Sequence, residues 1–266
     1  MTVKISAYLI AFNEARKIKA AIESVLWADE VVVVDSFSTD NTADIAQQLG
    51  ATVVQVPFSG FGELRNAALA ACAGEWIFSL DCDERCTAEV REEILTVIAN
   101  DTPPHELYLV PRRNFFMGRW IRHSGWYPNF RQPQLFRRGA MSYSLDAVHE
   151  GFVSHSQLPV GQLQQAIWQM PFENFHEVIR KANRYSDLGA VRLQQRQVTM
   201  GMALRHGLWA FTKHYVFKAG FLDGWAGFVI ALGNFEGTFY RYAKAYEKQQ
   251  HWSLPASSPL RRSDES

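Results

Sequence analysis

The chain has 266 residues, 47% of them hydrophobic, and its 27 Lys+Arg balance 27 Asp+Glu. That size and composition support a real core, in one large domain or one domain with an appendage, and exclude disordered and collagen-like classes. The charge is unevenly spread: residues 1–106 hold 7 Lys+Arg against 17 Asp+Glu, and residues 107–266 hold 20 against 10. An acidic front half suits metal chemistry, and a basic back half suits an anionic acceptor or an anionic membrane surface. No nucleic-acid partner is expected.

The first hundred residues alternate strand and helix patterns. Residues 3–11 read as a buried strand, and 13–27 as a helix with Ile18, Ile22, Val25 and Leu26 on one face. Residues 30–35 (EVVVVD) are a continuously apolar strand, as in a sheet covered on both faces. Ser38, Thr39 and Asp40 supply capping residues before a helix that ends at Gly50. A third strand is expected at 52–56, a helix at 63–73 closed by Gly74, a fourth strand at 76–80 and a fourth helix at 87–99. This order predicts an α/β fold with a mostly parallel, doubly wound sheet flanked by helices.

Residues 107–155 change character, with extended segments at 107–111, 134–138 and 148–153 that are rich in Arg and aromatics. Residues 173–248 read as a helical extension, with amphipathic helices near 173–197, 202–218 and 225–248. The tail, 249–266, is polar and rich in Pro and Ser, so it is expected to be loose. There is no internal repeat. The N-terminus does not read as a secretory signal, and no stretch reaches the roughly 18 uncharged apolar residues of a membrane span. A cytoplasmic location, or the cytoplasmic face of a membrane, is the expectation. Cys72, Cys82 and Cys86 are too few for a disulfide framework, and Cys82 and Cys86 have no His–Cys partner cluster, so free thiols are expected.

Ligands of open α/β sheets sit outside the carboxyl ends of the strands. The first strand ends in Ala11-Phe12-Asn13-Glu14, the second in Asp35-Ser36 and the fourth in Asp81-Cys82-Asp83-Glu84. No glycine-rich dinucleotide or P-loop pattern follows the first strand. Carboxylates and an amide thus gather at one edge of the sheet. Asp81-x-Asp83 is the sharpest signal, because such a pair at the end of a buried strand suits Mg²⁺ or Mn²⁺, hard ions that prefer oxygen. Helix capping is the competing explanation for the same acidic residues. A sugar nucleotidyltransferase needs a glycine-rich, basic loop after the first strand, which residues 11–16 do not supply. A non-enzymatic membrane scaffold would not need carboxylates at several strand ends.

These three segments, with Val33 to Thr42 read as VVDSFSTDNT and Ser79 to Glu84 as SLDCDE, resemble the signatures of the family-2 glycosyltransferases of the GT-A (Rossmann-like) fold. The run Trp27-Ala28-Asp29-Glu30, the turn Gly60-Phe61-Gly62 before Arg65-Asn66, and Val148-His149-Glu150 resemble the subgroup that adds glucose to a heptose of the lipopolysaccharide inner core. The resemblance covers about residues 4–245 and implies an inverting hexosyltransferase with a nucleotide diphosphate sugar donor such as UDP-glucose. It implies that Ala11, Asn13, Glu14, Asp35, Arg65 and Asp81 bind the nucleotide sugar, and that Asp83, with Asp81, binds the metal. The family commonly carries a second Asp, contacting uracil, where this chain has Ser36. A polyprenyl phosphate or another glycan is the alternative acceptor.

Inversion also requires a carboxylate that takes the acceptor's proton. Asp146 and Glu150 are the only acidic residues between 107 and 172, so the base is narrowed to Glu150 first and Asp146 second. Pairing with Arg137 or Arg138 is the structural explanation for the same two residues. His149 between them is a candidate third metal ligand. Trp120, Trp126 and Tyr127 lie among Arg113, Arg119 and Arg122, a mixture that stacks on sugars and forks onto phosphate, or that packs as a small core with a solvated rim. Residues 205–248 mix aromatics with Lys and Arg, which suits peripheral membrane contact as well as ordinary helix packing. The organisation expected is a nucleotide-sugar half (1–106), an acceptor half (107–172), a helical, membrane-associated extension (173–248) and a flexible tail (249–266).

Overall fold

The structure, a computed structural model, describes residues 4–130, 132–145 and 151–250. The chain forms two compact units, Met1–Pro171 and Phe172–Ser266.

The first unit runs β1 (Ile5–Ala11), α1 (Ile18–Glu23), β2 (Glu30–Asp35), α2 (Thr42–Gln48), β3 (Thr52–Gln55), α3 (Phe61–Ala71), β4 (Trp76–Ser79), β5 (Glu84–Arg85) and α4 (Ala88–Ile98). It continues through β6 (Leu107–Leu109), β7 (Arg112–Phe116), β8 (Arg119–Trp120), β9 (Pro133–Arg137), β10 (Met141–Tyr143), β11 (Phe152–Ser154), β12 (Gly161–Gln162) and β13 (Ile167–Gln169). The main sheet has seven strands in the order β12-β6-β9-β4-β1-β2-β3. β9 runs against both its neighbours, and the other pairs are parallel. A four-stranded sheet, β5-β13-β7-β8, and a hairpin of β10 and β11 complete the described strands. This is the mostly parallel, helix-flanked sheet that the strand–helix alternation predicts.

The apolar runs are buried on both faces because consecutive strand side chains point opposite ways. Ile5, Ala7, Leu9 and Ala11 of β1, with Val31 and Val33 of β2, join a core that includes α1, α2 and α4. Tyr8, Val32 and Val34 point the other way, into a core with Leu64 and Ala68 of α3 and with Phe136, Met141 and Tyr143.

The first helix is shorter than its periodicity predicts, for a tertiary reason. The N–H groups of Asn13, Glu14 and Ala15 donate to Ser38 Oγ (2.8 Å), Thr42 Oγ1 (2.8 Å) and Asp40 Oδ2 (3.2 Å), and Asn13 sits at φ 56°. The backbone there is held by the neighbouring loop, so the helix starts only at Ile18.

In the second unit α5 (Phe175–Val191), α6 (Met200–Thr212) and α7 (Gly224–Gln249) are helices. Asn174 and Thr199 cap the first two through Glu177 N (3.0 Å) and Met202 N (3.2 Å). Gly189 and Gly207 let α7 come close: a Cβ at Gly189 would meet Arg241, and one at Gly207 would lie 3.1 Å from the Phe235 ring. Ala190, Val198 and Ala245 form one buried apolar cluster here, and Ala203, Ala226, Ile230 and Ala231 are buried as well.

Candidate active site

Parallel pairing sets Ala11 beside Asp35, and the Ser36 amide donates to the Ala11 carbonyl at 2.9 Å. Asp35 is fully buried, and both its carboxylate oxygens are engaged by Ser38, one by the backbone N–H at 2.8 Å and the other by the hydroxyl. Asn13 uses its side-chain oxygen to accept from Thr39 N at 2.8 Å. Phe37, an exposed bulky residue, is held at φ 56° while its N–H reaches Gln55 Oε1 at 3.1 Å. A left-handed conformation in such a residue costs about 1–3 kcal/mol, which the surrounding hydrogen bonds must offset. The loops after β1 and β2 are thus one knitted unit.

Asp40 shows how tightly. Its small burial raises the carboxyl pKa, but hydrogen bonds from the Thr42 hydroxyl and from the Ala15 and Thr42 N–H groups outweigh that, leaving it below the usual value.

The second cluster lies between α3 and the end of β4. Arg65, buried on α3, donates through Nη2 to Asp81 Oδ1 at 2.7 Å and through Nη1 to Ser79 Oγ at 3.3 Å. Burial works against its charge, and the Asp81 carboxylate overcomes it and holds it protonated. The Tyr8 hydroxyl donates to Tyr143 Oη at 2.8 Å, and the Arg65 guanidinium lies 5.5 Å from the centre of the Tyr143 ring. Burial is the main reason both phenols titrate above their ordinary range.

The Asp81–Asp83 turn is held from beneath by Glu84, which is fully buried. Glu84 accepts from Arg112 Nε at 2.5 Å, from Gln134 Nε2 at 2.9 Å and from the Asp81 N–H at 3.0 Å. Asp83, half-buried, faces Gln169 Nε2 at 3.4 and 3.5 Å, long contacts from a buried amide, while the Asp83 carbonyl accepts from Met170 N at 2.8 Å. The Cys82 thiol donates to the Ile10 carbonyl at 3.4 Å, tying the turn to β1. Burial pushes that thiol well up, and the negative charges of Glu14, Asp81 and Asp83 push the same way. The Cys82–Ile10 hydrogen bond sets the Asp81–Asp83 turn beside the end of β1, which Asn13 and Glu14 follow.

Asp146, His149 and Glu150 lie outside the described residues. Their flanks are anchored beside Arg65's helix. Asn66 exchanges two hydrogen bonds with Tyr143, at 2.9 and 2.8 Å, and a Cβ on Gly62 would lie 2.1 Å from the Ser144 carbonyl oxygen. Ser144 N in turn donates to the Gly151 carbonyl at 2.9 Å.

Among the described residues no three His, Cys, Asp or Glu side chains converge as a preformed metal cage. The donor set still fits a hard divalent ion. Asp83 is a partly exposed carboxylate, and Mg²⁺ in particular is commonly held by one or two carboxylates with the rest of its shell from water and phosphate. Asp81 already has one oxygen on Arg65, so its share in such a site is smaller.

Sequence reasoning missed Glu84, Arg112, Gln134, Gln169, Tyr8 and Tyr143 as organisers of this edge. Buried polar residues inside apolar strands are the signal that marks Arg112, Gln134 and Gln169, but nothing local pairs them with a residue 28 to 86 positions away. The Arg and aromatic stretch forms a stack: the guanidinium groups of Arg113 and Arg122 lie 4.9 and 4.4 Å from the centre of the Trp120 ring, and Tyr127 meets the same ring edge-on.

Residues 6–150, more than half of the chain, match the model described as glycosyl transferase family 2. The lipopolysaccharide core biosynthesis glycosyltransferase LpsC of Rhizobium meliloti is 30% identical to this chain, over 92% of this chain and 92% of that protein. A protein of Rickettsia felis described as an uncharacterized glycosyltransferase is 30% identical over 92% of this chain and 90% of its own length. Among solved structures, glucosyl-3-phosphoglycerate synthase from Mycobacterium tuberculosis, in complex with Mn²⁺, UDP and glucosyl-3-phosphoglycerate, is 29% identical. That match covers 42% of this chain and 44% of that one, with a TM-score of 0.35. The chain is a glycosyltransferase and belongs to glycosyl transferase family 2.

Proposed function

We propose that the chain is an inverting, metal-dependent hexosyltransferase that moves glucose from UDP-glucose to a heptose of the lipopolysaccharide inner core. The observation that carries this reading is the placement of the Asn13–Glu14 loop, the Asp35 loop, the Arg65–Asp81 pair and Asp83 at the carboxyl ends of adjacent parallel strands. Two buried donors there, Ser36 Oγ and Arg65 Nε, have no hydrogen-bond partner among the described residues, and a polar ligand would satisfy them. The acceptor class is supported by the name of LpsC and by the basic balance of residues 107–266.

In this reading Ala11, Asn13, Glu14 and Asp35 frame the nucleoside, and Asp35 acts by fixing the loop through Ser38. Arg65 stays charged and positions Asp81 against the ribose or the metal. Asp83, with Asp81 and His149, holds Mg²⁺ or Mn²⁺, which when bound neutralises charge on the departing diphosphate. Attack on the anomeric carbon comes from the face opposite that diphosphate, and Glu150, with Asp146 second, takes the proton from the attacking hydroxyl. Both belong to the segment whose flanks, Ser144 and Gly151, are anchored beside α3. A lipid-borne acceptor places the enzyme at the cytoplasmic face of the inner membrane.

The test is a panel of nucleotide sugars with Mn²⁺ or Mg²⁺ and a heptose-terminated core acceptor. UDP-glucose should be turned over only with metal. Full turnover in excess chelator would remove the metal, and turnover only with a polyprenyl phosphate would replace the acceptor.

A further inference from the structure

The helical unit carries a surface that sugar transfer does not account for. After α6 the chain makes a π-helical turn, Lys213–Phe217, reverses through a 3-10 turn, Gly220–Asp223, and enters α7. The reversal is closely built. Ala219 adopts the left-handed conformation at φ 51°, and a Cβ on Gly227 would lie 1.8 Å from the Gly220 carbonyl oxygen, so α7 can approach the turn only with glycine there. Phe228 meets Phe211 and Tyr215 edge-on, with ring centres 5.9 Å apart in both pairs.

On this frame Val216, Phe217, Phe221, Leu222 and Trp225 stand exposed, Phe217 at 67% and Trp225 at 77%. Large apolar side chains grouped at a well-built turn mark an interaction surface. Its charge says which kind. Between residues 200 and 235 the cations Arg205, Lys213 and Lys218 are exposed, while Asp223, the one carboxylate in that stretch, is buried. Along the chain the exposed apolar residues of the turn are flanked by Lys213 and Lys218, and this stretch exposes no carboxylate.

No single helix among the described residues is long and apolar enough to cross a membrane. Met200–Phe217 and Gly220–Gln249 have the composition of a span only together, bent by 70° at the break. A crossing would carry Lys213 and Lys218 toward the middle of the bilayer, a costly depth for charge. Lying in the headgroup layer lets the rings enter the acyl boundary while the ammonium groups stay among phosphates. A second copy docked face to face on the same patch would set these cations against their own images.

We propose that the turn between α6 and α7 docks the protein on an anionic lipid bilayer, with Phe217, Phe221 and Trp225 inserted and Lys213 and Lys218 on the headgroups. The proposal depends on neither the donor nor the acceptor, so its test contains neither. The full chain is floated with vesicles of phosphatidylcholine alone and of equimolar phosphatidylcholine and phosphatidylglycerol. It should bind the anionic vesicles, and binding should weaken as salt rises. Phe217→Ser with Trp225→Ser should weaken binding by about tenfold or more, with circular dichroism and thermal midpoint unchanged. Lys213→Gln with Lys218→Gln should abolish the preference for anionic vesicles. The proposal is overturned if the unmodified chain ignores anionic vesicles or if both double variants bind as it does. It is overturned equally if the chain is a dimer that the aromatic variant converts to a monomer.

Discussion

The two units differ in what they bury. In the first, charged and polar groups are buried and partnered: Asp35 by Ser38, Arg65 by Asp81 and Ser79, Glu84 by Arg112 and Gln134. In the second, the buried apolar side chains are mostly small, Ala190, Ala203, Ala226, Ala231 and Ala245 among them, while Phe217, Trp225, Leu208, Trp209, Ile179 and Leu188 lie on the surface. The difference follows from what each unit is suited to. Stabilising charge that develops in a reaction needs groups already fixed in a low-dielectric setting, and each must be held by several partners. A surface for reversible contact needs apolar area left open to solvent.

The largest expected effect that sharpens this contrast is at Asp83. Asp83→Ala should lower turnover by roughly 10² to 10³ while the protein remains folded, because Asp83 is only half-buried. Steady-state rates with a metal titration check this, and retained turnover at saturating donor would move the metal elsewhere. Glu150→Gln keeps size and removes basicity; it should bind donor normally and lose transfer by about 10² or more. If Asp146→Asn collapses instead, the base is Asp146.

Arg112→Ala strikes the framework rather than the chemistry. It leaves the fully buried Glu84 without its cation and should destabilise the first unit by about 3–5 kcal/mol, read by urea unfolding. A change no larger than that of an ordinary surface substitution would show that the buried pair is not what holds the Asp81–Asp83 turn.

A pH-dependent effect comes from the thiols. Burial pushes Cys72 and Cys86 from 9.0 up to about 12. In the unfolded chain they ionise from about pH 9 upward, while in the folded chain they remain protonated. Their contribution to stability is therefore complete below pH 9 and is lost as pH rises toward 12. Urea midpoints measured across that window should fall, and fall less in Cys72→Ala with Cys86→Ala. At the small end, Phe217→Ser with Trp225→Ser should change stability by no more than about 0.5 kcal/mol per site, since neither side chain is buried. A larger loss would make the turn part of a core and erase the contrast between the units.

Much of the fold was readable before any coordinates. β2 begins and ends where its EVVVVD run does, and β4 stops one residue short of the expectation, because continuous apolar runs bounded by polar turns admit one buried geometry. The short strands β5, β7, β8, β10, β12 and β13 were not readable. Their pairings are long-range, and two- or five-residue stretches such as Glu84–Arg85 and Arg112–Phe116 carry no periodicity of their own.

The candidate site divides along the same line. Which strand ends carry carboxylates is legible in the chain alone, since Asp35 ends β2 and Asp81 and Asp83 follow β4, two strands whose apolar pattern is local. Only the tertiary structure decided how each is used. Asp35 is closed off by Ser38, Asp81 is tied to Arg65 from a different helix, and Glu84 is buried because Arg112 and Gln134 reach it from β7 and β9. A strand's register follows from its own pattern of side chains, whereas a buried charge is tolerable only where partners from distant segments converge on it.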